Sequence, residues 1–149
     1  MLKKYEYLTV FFAGANAYSL IEILWRGYTH PSMALVGGIC FLMLYLIGGV
    51  RFFRSGAASF AAACVVGGIV ITLTEFVAGV ILNIVLGLGV WDYSDVRGNI
   101  LGQICPQFSL AWTALSAPAL LLSGKVRRFF EFIGNGQKYE EKEQQKIRT

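Results

Sequence analysis

Charge is scarce in this chain. Of its 149 residues, 15% are charged, against about a quarter in an ordinary soluble domain. Histidine occurs once, as His30 beside Pro31, so a serine–histidine–aspartate arrangement has a single residue to draw on, in a turn. Cys40, Cys64 and Cys105 stand singly among apolar neighbours with neither metal nor redox spacing, which reads as three small buried hydrophobes. The chain carries no GxxxxGK[ST] and no GxGxxG string, so it does not itself hydrolyse ATP through a P-loop. No cofactor, metal or nucleic-acid partner is expected. The expectation is a non-enzyme, with a lipid-acting enzyme built on carboxylates left open.

Long uncharged apolar runs are what the sequence does have: 56% of it is hydrophobic. Roughly 20 apolar residues cross a bilayer, and four such runs fall at about 8–25, 33–50, 58–87 and 107–122. The expected fold is therefore an all-α membrane protein, with four transmembrane helices in residues 1–124. Lys3-Lys4 followed by a short apolar core and Ala15-Asn16-Ala17 also has the look of a cleavable signal, but the apolar run continues past Ala17 to a full span. Trp25, Arg26, Tyr28 and His30 form an interfacial cluster. Gly37-Gly38 and Gly48-Gly49 are eleven residues apart, close to three turns, and so recur on one helix face, where small residues let backbones approach in lipid.

Gly87-Leu88-Gly89 is the expected break before a loop at 91–105. Pro106 suits the first turn of the next helix, and Pro118 predicts a kink. Residues 125–149 read as a second region. Lys125 to Ile133 mixes cations with aromatics, as in a helix lying on the membrane surface. Gly134-Asn135-Gly136 ends it, and a mobile tail follows.

Four spans put both termini on one side. Lys3, Lys4, Arg51, Arg54, Lys125, Arg127 and Arg128 fall on that side, against Arg26 and Arg97 on the other. The positive-inside rule makes both termini cytoplasmic. Ser19-Leu20-Ile21-Glu22 in the first span resembles Thr72-Leu73-Thr74-Glu75 in the third. The match suggests two parallel helical hairpins related by an axis along the membrane normal, one known transporter plan.

Glu22 and Glu75 are the sharpest features. An ionised carboxylate in hydrocarbon costs at least a few kcal/mol, so each must be protonated, paired or hydrated. One reading is a proton-, cation- or polar-substrate site. The other is a structural clasp, Glu22 bonding Asn16 and Glu75 bonding the Asn83 neighbourhood. Glu75, Gly79 and Asn83 share a face at four-residue steps; Gly79 leaves space there and Asn83 adds an amide. If Glu22 approaches, two carboxylates share one site.

In the loop, Asp92, Asp95 and Arg97 can pair locally, Trp91 and Tyr93 suit the headgroup region, and Asn99 and Gln103 would face together if helical. The segment is either folded on itself at the interface or a plug over a cavity, since irregular backbone at depth needs protein or water around it.

Ile71-Thr72, Glu75-Phe76, Gly79, Asn83, Val90-Trp91-Asp92-Tyr93-Ser94, Asn99, Gly102-Gln103-Ile104-Cys105, Phe108-Ser109 and Trp112 resemble the ABC-transporter type IV (CmpB) family. Tyr18, Glu22 and Gly37-Gly38 fit its earlier part. The resemblance implies a small multi-span protein of the bacterial cytoplasmic membrane, and a permease working with a separate ATPase that the turn from Arg51 to Ser55 would touch. Four helices are few for a whole pathway, so a homo-oligomer or a partner subunit is expected beside the lipid bilayer. Two functions follow: a transport component with Glu75 and Glu22 lining a polar path, or a non-transporting partner with both as clasps.

Overall fold

The computed structural model describes the backbone of residues 2–51, 53 and 55–147, and the side chains of 3–51, 53 and 55–136. Four helices account for most of it: α1 (Leu2–Arg26), α2 (Pro31–Gly49), α3 (Ala57–Gly79) and α4 (Pro106–Ile147). One turn of π-helix, Val80–Val85, continues α3. Among the described residues there is no strand beyond an isolated bridge between Ile100 and Ile104. Lys3–Arg26, Pro31–Gly49 and Ala57–Val85 are each long and apolar enough to cross a membrane. The chain is an all-helical membrane protein.

The helices run up and down. α1 packs chiefly on α2 and α3 on α4. Their inward stripes follow helical spacing. On α3 the buried positions Ala63, Gly67, Ile71, Glu75 and Gly79 recur every four residues. On α4 they are Trp112, Ser116, Leu120 and Ser123. A single stripe per helix turns inward while Leu73, Val77, Leu110 and Leu121 stay exposed, as expected where lipid tails are the solvent and packing rather than water exclusion joins helices.

Small residues make that packing close. A Cβ built on Gly37 would lie 2.2 Å from Tyr18 Cβ, and one on Gly14 2.7 Å from the Gly37 carbonyl, so α1 and α2 nearly touch backbone to backbone. Gly48 and Gly49 face Ser123 and Arg127 of α4. The two glycine pairs of α2 thus serve different neighbours: the first lies against Phe11, Gly14 and Tyr18 of α1, the second against Leu120, Ser123 and Arg127 of α4.

Two boundaries differ from the sequence expectation. α1 begins at Leu2, ahead of the apolar run. Instead of a span, a surface helix and a tail, α4 is one 42-residue helix, about 63 Å at 1.5 Å per residue. Pro118 sits inside it on an exposed face, and the helix continues through Gly134-Asn135-Gly136. A helical glycine costs only about 1 kcal/mol, and tertiary contacts carry α4 beyond the apolar stretch. The Arg127 guanidinium donates to the Tyr45 carbonyl at 2.6 Å and lies over the Tyr45 ring. The Tyr45 hydroxyl in turn donates to Glu6, tying the start of α1 to the end of α2. Arg54 and the side chains from residue 137 onward, including those of the expected mobile tail, lie outside the described residues.

Candidate functional site

Helix α3 carries Glu75 to the inward stripe, where it is 3% exposed. Both carboxylate oxygens are engaged. The Tyr18 hydroxyl of α1 donates to Oε1 at 2.6 Å, and the Trp112 indole Nε1–H of α4 donates to Oε2 at 2.6 Å. The rings of Tyr18 and Trp112 stack, with centroids 5.6 Å apart and planes at 27°. Three helices therefore meet at one carboxylate. To an ionised carboxylate such bonds are charge-assisted and stronger than neutral ones, which lets the bundle hold an acidic group in its interior.

Above Glu75 lies a cavity of about 700 Å³, in the wedge between α1, α4 and the chain after α3. Glu75 and Tyr18 line its floor with Trp112. Glu22, Trp25 and Arg26 come from the end of α1, Tyr28 from the turn after it, Phe108 from α4, and Trp91, Asp92 and Tyr93 from the loop. The two glutamates thus reach one cavity, but in different states. Glu22 is paired with Arg26 at 2.6 Å and accepts a bond from the Thr29 hydroxyl. It does not bond Asn16, whose amide returns to the Phe12 carbonyl on the exposed side of α1. The four-residue step from Glu22 to Arg26 is the spacing of a helical ion pair, and that was the signal in the sequence for this partner.

The loop is a cap held from three sides. Asn83, on the π-helical turn, accepts the Val90 N–H at 2.7 Å and donates to the Trp91 carbonyl and to Gln103 Oε1. π-turns often mark functional positions; here the turn aims Asn83 at the loop rather than at Glu75. The space beside Gly79 is filled by Gln103 and Trp91, which a Cβ there would meet at 2.5 and 3.0 Å. The Trp91 indole donates to the Gln103 carbonyl, and Gln103 is 5% exposed. From the opposite side, Arg26 donates to the Val90 carbonyl at 2.8 Å. Tyr93 stacks on Phe108 with centroids 4.7 Å apart; burial pushes its phenol well above the ordinary value, so it stays neutral.

Within the loop, Asp92 accepts from the Ser94 N–H and hydroxyl, and those bonds lower its pKa. Asn99 donates to the Ser94 and Val96 carbonyls and accepts from Gly102 N–H. Leu101 and Gly102 have φ of 53° and 69°, and Gln103 N–H bonds the Ile100 carbonyl, the pattern of a tight turn with both central residues left-handed. Asn99 and Gln103 therefore do not share a helical face: one folds the loop and the other anchors it. The expected pairing of Asp92, Asp95 and Arg97 is absent; among the described residues the ion pair is Glu22 with Arg26. The loop is both folded on itself and seated over the cavity.

Replacing Asn83 by leucine keeps the branched shape of the side chain but strands the Val90 N–H, the Trp91 carbonyl and Gln103 Oε1. An unsatisfied buried group costs about 1–3 kcal/mol, so amide hydrogens of residues 90–105 should exchange tenfold or more faster, read by hydrogen-exchange mass spectrometry. Unchanged exchange would mean the loop holds itself.

Of the sequence candidates, Glu75, Glu22, Trp91, Asp92 and Tyr93 line the cavity, while Asn16, Asn83, Asp95, Asn99 and Gln103 do not. Sequence reasoning missed Tyr18 and Trp112 as the partners of Glu75, and Arg26 as the charge on Glu22. Aromatics on an apolar helix give no spacing signal that separates a carboxylate donor from core.

No curated protein and no solved structure was found to match the chain. The profile of one protein family, described as "Putative ABC-transporter type IV", matches residues 9–135, a stretch that takes in Glu22, Glu75, the loop and most of α4. The chain belongs to that family.

Proposed function

We propose that the chain is the membrane component of a transport system, a non-enzymatic permease subunit whose proton or cation site is Glu75. The observation that carries this reading is the cavity that ends on a buried carboxylate at the junction of three helices. A purely structural clasp has no need of open volume beside it. In this reading α4 supplies a fourth span, both termini are cytoplasmic by the lysine and arginine asymmetry, and the cavity opens toward the outer face of the bacterial cytoplasmic membrane. The absence of a P-loop assigns any ATP hydrolysis to a separate subunit. The small size of the bundle favours assembly with that subunit or with further copies of this chain.

A second reading has its own support, since both carboxylates are hydrogen-bonded: Glu22 and Glu75 would then be clasps in a non-transporting partner subunit. Dicyclohexylcarbodiimide separates the two, because it is apolar and modifies protonated carboxyls in apolar surroundings. For an ion site, peptide mass mapping should find the adduct at Glu75, declining as pH rises and absent from Glu75→Gln. The ionisable groups facing Glu75 are Tyr18 of α1, Cys40 of α2, Tyr93 of the loop and Glu22, the last balanced by Arg26. Glu75 itself is the natural source of that pH dependence. A Glu75 that stays unmodified at every pH would favour the clasp and overturn the transport reading.

A further inference from the structure

We propose that the cavity above Glu75 takes an organic cation, an ammonium centre carrying an apolar or aromatic body. Its charge would point to the carboxylate and its body would lie against the aromatic walls. The inference rests on the reading of this cavity as the substrate site and names the class of substrate.

Charge is the first argument. Glu22 and Arg26 neutralise each other at 2.6 Å, and the guanidinium is further committed to the Val90 carbonyl and the face of Tyr28. Among the described residues the partners of Glu75 are neutral, a phenol and an indole. When ionised, Glu75 leaves a negative charge on the floor that no cation compensates, and Asp92, bonded to the neutral Ser94, adds a second on the loop side; both repel an anion and attract a cation.

The walls are the second. Tyr18 and Trp112 stand stacked beside the carboxylate, Tyr93 and Phe108 form a second stack, and Trp91 closes the loop side. Aromatic faces attract ammonium groups, most strongly when desolvated, and they bury an apolar body equally well. The volume, about 700 Å³, is in the range of small-molecule sites.

The donor set argues against a metal ion. Among the described residues there is no group of three or more His, Cys, Asp or Glu side chains that could hold one. A hard cation wants six or more oxygen ligands, whereas here two hydrogen-bond donors already occupy Glu75, Glu22 is paired with Arg26 and Asp92 is taken up by Ser94.

The same donors allow a proton and the cation to alternate. The Trp112 indole can only donate, so Oε2 remains an acceptor in either state. The Tyr18 hydroxyl both donates and accepts. It can therefore donate a hydrogen bond to an ionised Oε1 or accept one from a protonated Oε1, without either helix moving. Cation and proton then compete for one carboxylate, and cation binding weakens as pH falls. Tyr18, Cys40, Tyr93 and the Glu22–Arg26 pair are the other groups facing it, as named above.

One chemistry has two sources here, a soluble quaternary ammonium or the choline headgroup of a lipid. The test is a titration of the purified full chain with benzyltrimethylammonium in phosphatidylglycerol nanodiscs, followed by tryptophan fluorescence and by protection of Glu75 from dicyclohexylcarbodiimide. Saturable quenching and protection are expected. Affinity should fall at least tenfold in Glu75→Gln, and benzenesulfonate should give neither signal. Repeating the titration in phosphatidylcholine nanodiscs distinguishes the sources. Suppressed binding assigns the site to the lipid headgroup, and unchanged binding to a soluble cation. The wild-type protection assay stands without any variant. If Glu75 is modified by the carbodiimide but benzyltrimethylammonium neither quenches nor protects, the organic-cation inference falls and the ion-site reading survives. If Glu75 is never modified, the ion-site reading falls with it.

Discussion

Gly37→Leu should be among the most damaging single substitutions in the bundle, lowering stability in detergent by about 3 kcal/mol, the upper end of ordinary overpacking costs. The reason is distance. Any Cβ at 37 lies 2.2 Å from Tyr18 Cβ and 3.0 Å from the Gly14 carbonyl. The first is the rigid root of a side chain and the second is backbone, so no rotamer change relieves either contact and α1 must move off α2. The displaced residue is also the one that donates to Glu75. The packing fault should therefore reach the site, and any Glu75 reaction that Tyr18 supports should change with it. Gly124→Ala is the matched control. It lies in α4 with nothing within 4 Å of the new methyl, and exchanging a helical glycine for alanine should gain up to about 1 kcal/mol. Thermal unfolding of the two variants beside wild type checks both signs. A Gly37→Leu protein as stable as wild type would mean that α1 and α2 do not approach as closely as described.

Those two glycines also bear on what the sequence could say. Gly37-Gly38 stood out by period, and period correctly placed the pair on a packing face. It could not say which helix would come, because two neighbours cross α2 at different heights. The apolar runs were legible in the same way. A helix long enough to span is a property of local composition, and three of the expected spans return as helices of spanning length and hydropathy. The end of α4 was not legible. Gly134-Asn135-Gly136 is a stop signal by local propensity, and contacts such as Arg127 on Tyr45, 82 residues apart, are invisible locally.

The site divides along the same line. Glu75 was conspicuous because a lone acid in an apolar run needs an explanation wherever its neighbours are. Its partners lie 57 and 37 residues away on other helices, and nothing in a single sequence links them. Asn83 was assigned to the Glu75 face by a four-residue step that holds for an α-helix; the chain turns π-helical at Val80, and the side chain goes to the loop instead. The partial match of the two glutamate segments, identical only at leucine and glutamate, hides a difference in kind. Glu22 lies four residues before an arginine and is neutralised within its own helix, whereas among the described residues Glu75 has no cation within reach of a hydrogen bond.

That difference makes the outcome at Glu75 depend on what replaces it. Glu75→Leu should be severe, because it removes the acceptor from two buried donors at once. Each stranded donor costs about 1–3 kcal/mol, so a loss of roughly 2–6 kcal/mol in detergent is expected for the pair, together with an opening of the Tyr18–Trp112 stack. Glu75→Gln should fold nearly as well as wild type. Its carbonyl can accept the Trp112 indole, and its amide can donate to the Tyr18 oxygen, which is free to reverse. The amide cannot take up or release a proton near neutral pH and offers no negative charge, so carbodiimide labelling and any pH-dependent cation response should vanish from a folded protein. Tyr18→Phe completes the set. It removes one donor but keeps the ring and the carboxylate, so labelling at Glu75 should persist with a shifted pH profile and only a modest loss of stability. Measured together, unfolding temperature and carbodiimide reactivity separate the two roles of the side chain. If Glu75→Gln proves as unstable as Glu75→Leu, the charge itself holds the helices together and Glu75 is a clasp. If glutamine preserves the fold and abolishes the chemistry, the carboxylate is there for the proton it can exchange.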